Sequence, residues 1–130
     1  MKITDLECYS LLIPDFDADA CSSAQDNLIV KIHTDEGLIG IGETDTNPWG
    51  VKAIIDSPGT HAMGRGFKEL LVGKDPRNVE GLWHEMNEKT MMTTRRGLGI
   101  CAIGAIDMAL WDLCGKIYSQ PTWKLLGGSV

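Results

Sequence analysis

The chain has 130 residues, 43% hydrophobic and 23% charged, which fits one globular domain large enough to close a core and excludes a disordered acidic chain. Twelve Lys and Arg against eighteen Asp and Glu give a net charge of -6, so a nucleic-acid backbone or an anionic membrane is repelled and neither is an expected partner. The opening Met1-Lys2-Ile3-Thr4-Asp5 lacks the apolar core of a signal peptide, and no stretch approaches the roughly 20 apolar residues of a membrane span. Cys8, Cys21, Cys101 and Cys114 lie far apart without Cys-x-x-Cys spacing and read as free thiols of a cytoplasmic protein, a disulfide framework being the alternative for an exported one.

Three apolar runs have strand character: Ile3 to Leu12, Leu28 to Thr34, and Leu38 to Glu43. In the second, Leu28, Val30 and Ile32 alternate with Ile29, Lys31 and His33, leaving one face apolar throughout. Thr34-Asp35-Glu36-Gly37 supplies a tight hairpin with Gly at its positive-φ position, so the runs predict an antiparallel meander. Gly40 and Gly42 strip side chains from one face of the third strand and predict a closely packed element there.

Helical patterning begins after Pro48. Val51 to Ile55 is a short amphipathic turn stopped by Pro58-Gly59, and Phe67, Leu70 and Leu71 mark a second piece ending at Gly73. Asp75-Pro76 suits a helix start, with Val79, Leu82, Trp83 and Met86 as the buried stripe. The longest helix runs from about Ile100 to Lys116 and buries Ala102, Ile103, Ile106, Ala109, Leu110 and Leu113, while Gly104 and Ala105 allow a neighbour to approach closely. Asp112 and Lys116 form an i,i+4 pair on its outer side. A last half-turn, Trp123 to Leu126, is closed by Gly127-Gly128. The predicted fold is α+β: a three-stranded antiparallel meander followed by a helical bundle.

The reactive residues do not assemble into a self-sufficient catalytic set. His84-Glu85 begins like a zinc-protease motif, but the fourth residue on from His84 is Glu88. The glycines lack Gly-x-Gly-x-x-Gly spacing, and neither a phosphate loop nor a Gly-x-Ser-x-Gly elbow occurs. Asp15, Asp17, Asp19 and Asp26 resemble a calcium loop, since hard cations take carboxylate oxygens from alternating residues. The position that needs Gly is Ala20 and the flanks are strands, so the expected reading is a solvated acidic loop. His33 reads as a half-exposed sheet residue, whereas His61, near a helix start, suits a cap or surface role as well as a substrate contact. Asp107 falls on the edge of the long helix's apolar stripe, where a carboxylate must find donors or bear desolvation, and a structural hydrogen-bonding role is expected.

The segment Ala102-Ile103-Gly104-Ala105-Ile106-Asp107-Met108-Ala109-Leu110-Trp111-Asp112-Leu113-Cys114-Gly115-Lys116, then Pro121 and Leu125-Leu126-Gly127-Gly128, resembles the signature of the mandelate racemase and muconate lactonizing enzyme branch of the enolase superfamily. Thr34 to Glu43 and Leu70 to Pro76 agree with it in family order, so the resemblance spans nearly the whole chain; Thr122 departs, standing where the family has an aliphatic residue. The resemblance implies an N-terminal capping domain over residues 1–130. The (β/α)8-like barrel it covers in the family takes roughly 250 residues and lies outside this sequence. With the barrel go three acidic Mg²⁺ ligands and the Lys or His bases, so this chain alone is expected to bind no metal and to be inactive. The family reaction removes a proton α to a carboxylate while Mg²⁺ stabilises the enediolate. The implied partners are the barrel domain of the parent enzyme, a small carboxylate substrate (a hydroxy or sugar acid), and further copies of the chain in a homo-oligomer.

In the family the capping domain selects substrate and excludes water through two loops, which match Pro14 to Gln25 and Thr44 to Trp49. Phe16, Asp17, Thr46, Asn47 and Trp49 are the candidate substrate contacts. Such loops are equally ordinary turns, and Trp49 equally suits a core anchor. The loop Thr93-Thr94-Arg95-Arg96-Gly97 matches a family segment that often carries Arg and Gly before the long helix, and Arg95 or Arg96 either holds an acid or belongs to a surface pair beside the helix. The polar Asp17, Thr46 and Asn47 suit a polyol better than an aromatic substrate, so an acid-sugar dehydratase is the expected reaction. A racemase, epimerase or cycloisomerase is the alternative within the family, and a non-catalytic association module is the alternative outside it.

Overall fold

The computed structural model describes residues 1–22 and 24–129; Ser23, inside the acidic loop, and Val130, the last residue, lie outside the described residues. Strands β1 (Ile3–Leu12), β2 (Asp26–Thr34) and β3 (Ile39–Thr44) form one antiparallel sheet in the order β1-β2-β3. Helices α1 (Pro48–Asp56), α2 (Phe67–Leu71), α3 (Val79–Lys89), α4 (Leu98–Tyr118) and α5 (Thr122–Leu125) follow, which is the α+β order the sequence predicts.

Strand alternation sorts the sheet into two faces. Leu28, Val30 and Ile32 are fully buried toward the helices, whereas Ile29, Lys31 and His33 stand half-buried on the other side. In β1 the alternation slips, because a bulge between Ile3 and Asp5 lets both Ile3 and Leu6 reach the core. Gly37 closes the β2–β3 hairpin at φ +81°, where any side chain would be strained.

α4 lies across the sheet and sets its third strand. A Cβ on Gly40 would stand 2.1 Å from the Ala109 carbonyl oxygen, and one on Gly42 would stand 1.9 Å from that of Ala105. The two backbones therefore touch only because both glycines are bare. The thin helix positions are Ala105 and Ala109. Gly104, contrary to the sequence expectation, faces open space, since it sits about 100° around the helix from Ala105. Asp112 and Lys116 also depart from expectation: they stitch α4 to the free edge of β3. Ile41 N–H donates to Asp112 Oδ2 (2.8 Å), and Lys116 Nζ donates to the Ile39 carbonyl (2.6 Å) and to Asp112 Oδ2 (2.6 Å). Edge groups that would template another strand are thereby occupied.

Helix boundaries shift for identifiable reasons. α1 starts ahead of the predicted Val51 because Asn47 Oδ1 accepts from Gly50 N–H (3.0 Å) and Pro48 fills a first-turn position that needs no amide. α3 starts at Val79 rather than at Asp75-Pro76. The Asp75 carboxylate closes a separate turn by accepting from the Arg77 amide (3.0 Å) and guanidinium, and Asn78 takes the cap position. Of the predicted stripe, Val79, Leu82 and Met86 are buried, but Trp83 is 36% exposed. α4 is long and apolar enough, by length and composition, to cross a bilayer, contrary to the sequence expectation; half of that stretch is buried inside this domain. Its outward side carries the exposed Ile100 and Met108, so the helix is apolar nearly all round, the pattern of a helix covered on both sides.

Candidate functional site

Two loops at one end of the sheet build a cleft. The first leaves β1, and its neck is closed where Ile13 N–H donates to the Gln25 carbonyl (2.9 Å). The Gln25 side chain then clasps the loop from within: its Oε1 accepts from Asp17 N–H (2.7 Å) and its Nε2 donates to the Asp17 carbonyl (2.9 Å). Asp17 Oδ1 accepts from Asp19 N–H (3.0 Å), a local turn that organises the acidic tip. Gln25 has no periodic signature and is not visible as a positioning residue in the sequence. The second loop is held by the Asn47 cap of α1, with Asn47 itself in the left-handed region at φ 41°, ψ 71°.

Between them opens a cleft of about 490 Å³ whose lining includes Phe16, Asp17, Asn47 and Trp49, four of the six residues singled out from the sequence. Phe16 is 51% and Trp49 56% exposed, so Trp49 is not a core anchor. Asn47 commits its side-chain oxygen to the cap and keeps its amide group beside the cleft. Thr46 is half-buried, donates to Asp45 Oδ1 (3.3 Å), and lies just outside the lining. Arg95 is exposed in the loop before α4 and is not part of the cleft's lining. Buried Thr94, whose Oγ1 donates to the Thr90 carbonyl (3.0 Å), turns inward there and leaves Arg95 facing out.

Asp26, read in the sequence as part of the acidic loop, is instead the first residue of β2 and lines the same cleft. Its Oδ1 is buried without a hydrogen-bond donor among the described residues, as is Ser10 Oγ two residues before its strand partner Leu12. An acceptor left in that state costs about 1–3 kcal/mol. No signal in the sequence distinguishes Asp26 from its acidic neighbours.

The two candidate histidines, His33 and His61, lie outside this cleft's lining. His33 Nε2 lies 3.0 Å from Glu7 Oε2 on the outer sheet face, and hydrogen bonds from Tyr9 and His33 hold the Glu7 carboxyl below the usual range. His61 sits in a turn bridged to Gly64, its Nδ1 3.0 Å from Thr60 Oγ1, and is not at a helix start. Among the described residues no three His, Cys, Asp or Glu side chains converge as a metal site, so the donor set within this domain does not fit Mg²⁺.

A second cleft, of about 400 Å³, lies on the helical side between α3, α4 and the α5 turn. Asp107 lines it with Glu80, Trp83, His84, Trp111 and Leu126. Contrary to the sequence expectation, Asp107 makes no hydrogen bond or ion pair among the described residues, although His84, Trp83 and Trp111 line the same cleft. Burial, then the neighbouring Glu80 charge, pushes its carboxyl above the ordinary aspartate value.

The N-terminal-domain profile of the mandelate racemase / muconate lactonizing enzyme family matches residues 14–127. The chain belongs to this family. It is 33% identical over 103 residues to L-rhamnonate dehydratase of Saccharopolyspora erythraea, a match covering 79% of this chain and 24% of the relative. It is 32% identical over 126 residues to arabinonate dehydratase of Saccharolobus solfataricus, covering 94% of this chain and 32% of the relative. The crystal structure of 3,6-anhydro-D-galactonate cycloisomerase from Zobellia galactanivorans superposes with a TM-score of 0.79 at 35% identity, over 98% of this chain and 32% of that one. The chain thus spans about a quarter to a third of the relatives it matches. Within the family its meander and helices are the N-terminal domain, as the sequence resemblance implies.

Proposed function

We propose that this chain is the capping domain of an acid-sugar dehydratase, holding the hydroxylated end of a sugar acid over the mouth of a (β/α)8-like barrel that carries the Mg²⁺ ligands and the bases. The cleft formed by Phe16, Asp17, Asn47 and Trp49 carries this reading. Its indole and phenyl walls suit the C–H faces of a sugar chain, while Asp17, Asp26 and the Asn47 amide suit hydroxyl groups. The charges it contributes are acidic, so it faces the polyol end of the substrate and leaves the carboxylate to the barrel side. The dehydratases among the relatives support the reaction class. The cycloisomerase likeness favours a second reading, in which the same cap serves an isomerising barrel. Either way the capping chain supplies selection and water exclusion, and the proton abstraction belongs to groups beyond it.

The test is direct. The 130-residue chain, incubated with a panel of aldonic acids and Mg²⁺, is expected to form no 2-oxo acid. Sustained turnover by the chain alone would overturn the assignment of the chemistry to a second domain.

A further inference from the structure

The cleft around Asp107 has three features that belong together. Its carboxylate is half-buried and without a donor, its walls are the indoles of Trp83 and Trp111, and it opens on the outward, apolar side of α4 beside the exposed Met108. An unpaired carboxylate in such a setting is a cost to this domain. Aromatic faces flanking a carboxylate are complementary to a cation, and a planar guanidinium fits two indoles better than a compact ammonium does. Glu80 adds negative charge to the same cleft, and His84, stacked edge-on against Trp83 with ring centroids 5.4 Å apart, completes its titratable lining. Burial and the Glu80 charge raise the Asp107 carboxyl, the direction that a paired cation would reverse. Leu126 of the α5 turn also lines the cleft, which places it at the C-terminal end of the family-matched region.

Resting on the capping reading, we propose that this cleft docks the barrel domain, taking an arginine side chain of that domain onto Asp107 beside the indoles of Trp83 and Trp111. The apolar strip of Ile100, Met108 and Leu126 is then covered by the same contact, which accounts for a helix apolar nearly all round. The pair acts as a register pin. An acid that is unfavourable in the separate cap becomes favourable only when the barrel supplies its cation in the right place.

The experiment compares two settings. Residues 1–127 are fused in place of the matching part of arabinonate dehydratase from Saccharolobus solfataricus, and Asp107→Asn, Asp107→Leu and Asp107→Glu are made in the fusion and in the separate chain. In the separate chain Asp107→Asn and Asp107→Leu are expected to leave the thermal midpoint unchanged or raise it. In the fusion the same two substitutions are expected to lower the midpoint by several degrees, with Asp107→Glu recovering part of the loss. Opposite signs in the two settings support the pin. Equal signs, in a fusion whose unaltered cap and barrel unfold in one cooperative transition, overturn the pin and leave the capping reading standing. Two independent transitions in the unaltered fusion overturn both.

Discussion

Gly42→Ala tests the contact that places β3 and, through it, the loop that carries Asn47 and Trp49. The new methyl would lie 1.9 Å from the Ala105 carbonyl oxygen and 2.8 Å from the Ala109 amide nitrogen. Both are helix backbone, so no side chain can swing away. Restoring ordinary contact requires α4 and β3 to separate by about 1.5 Å along a seam that also holds the Gly40 contact and the Asp112–Lys116 stitch. Overpacking against an immovable neighbour sits at the upper end of its usual range, about 3 kcal/mol, and the reduced freedom of the unfolded chain offsets less than about 1 kcal/mol of that. For a chain of this size the thermal midpoint should fall by about 10 °C. Gly104→Ala is the matched control. Its Cβ meets nothing within 4 Å inside helix α4, so it should stabilise by about 0.5–1 kcal/mol. Calorimetry on both variants reads the contrast. Equal midpoints for the two, or a Gly42→Ala protein as stable as the parent, would refute the backbone-on-backbone seam.

Asn47→Ala removes the α1 cap and leaves a side chain at φ 41°, and should cost about 1 kcal/mol or more in urea unfolding; Asn47→Gly keeps the backbone freedom and should fall between Ala and the parent. An Ala variant as stable as the parent contradicts the cap. Burial pushes the Cys8 thiol up to about 11, while Cys21 is exposed. Alkylation at pH 8 followed by mass spectrometry should therefore label Cys21 first, with the Cys8 thiolate about 100-fold scarcer than that of an ordinary thiol, and rapid labelling of Cys8 would contradict its placement. Hydrogen bonds from the Arg77 side chain and amide hold the Asp75 carboxyl down at about 2, from 3.8. The folded-state value lies below the unfolded one, so the contribution is present above pH 3.8 and is lost as pH falls toward 2. Asp75→Asn should flatten the acid limb of stability in that window, and an unchanged limb would remove the ion pair from the account.

The meander was legible because its information is local. Leu28, Val30 and Ile32 alternate within one strand, Gly37 sits at the hairpin tip, and bare Gly40 and Gly42 announce a close neighbour without naming it. What stayed hidden depends on residues far apart in the chain. Asp112 meets Ile41 across 71 positions and Lys116 meets Ile39 across 77, so an apparently outward helix pair becomes the clasp of an edge strand. Trp83 fits the apolar period of α3 yet stands partly exposed, because it lines the open cleft between α3 and α4 rather than the core. Asp107 lines the same cleft, a placement that the edge of an apolar stripe does not reveal. In the candidate site, the loops holding Phe16, Asp17, Asn47 and Trp49 were marked by family resemblance, but their convergence is set by the Gln25 clasp and the Asn47 cap. Neither has a periodic signature. Arg95 is marked by the family match of its loop, which does not tell that Thr94 is the buried residue there and that Arg95 stays out of the cleft's lining.

The most direct measurement is the substrate preference of the fusion between residues 1–127 and the arabinonate dehydratase barrel. If the cleft between the two loops selects the substrate, kcat/KM ratios across a panel of aldonic acids should differ from those of the unmodified dehydratase. Trp49→Ala or Phe16→Ala in the fusion should then shift those ratios again, mainly through KM. Ratios identical to the unmodified enzyme's, and indifferent to Trp49 and Phe16, would contradict the assignment of this chain as a specificity cap.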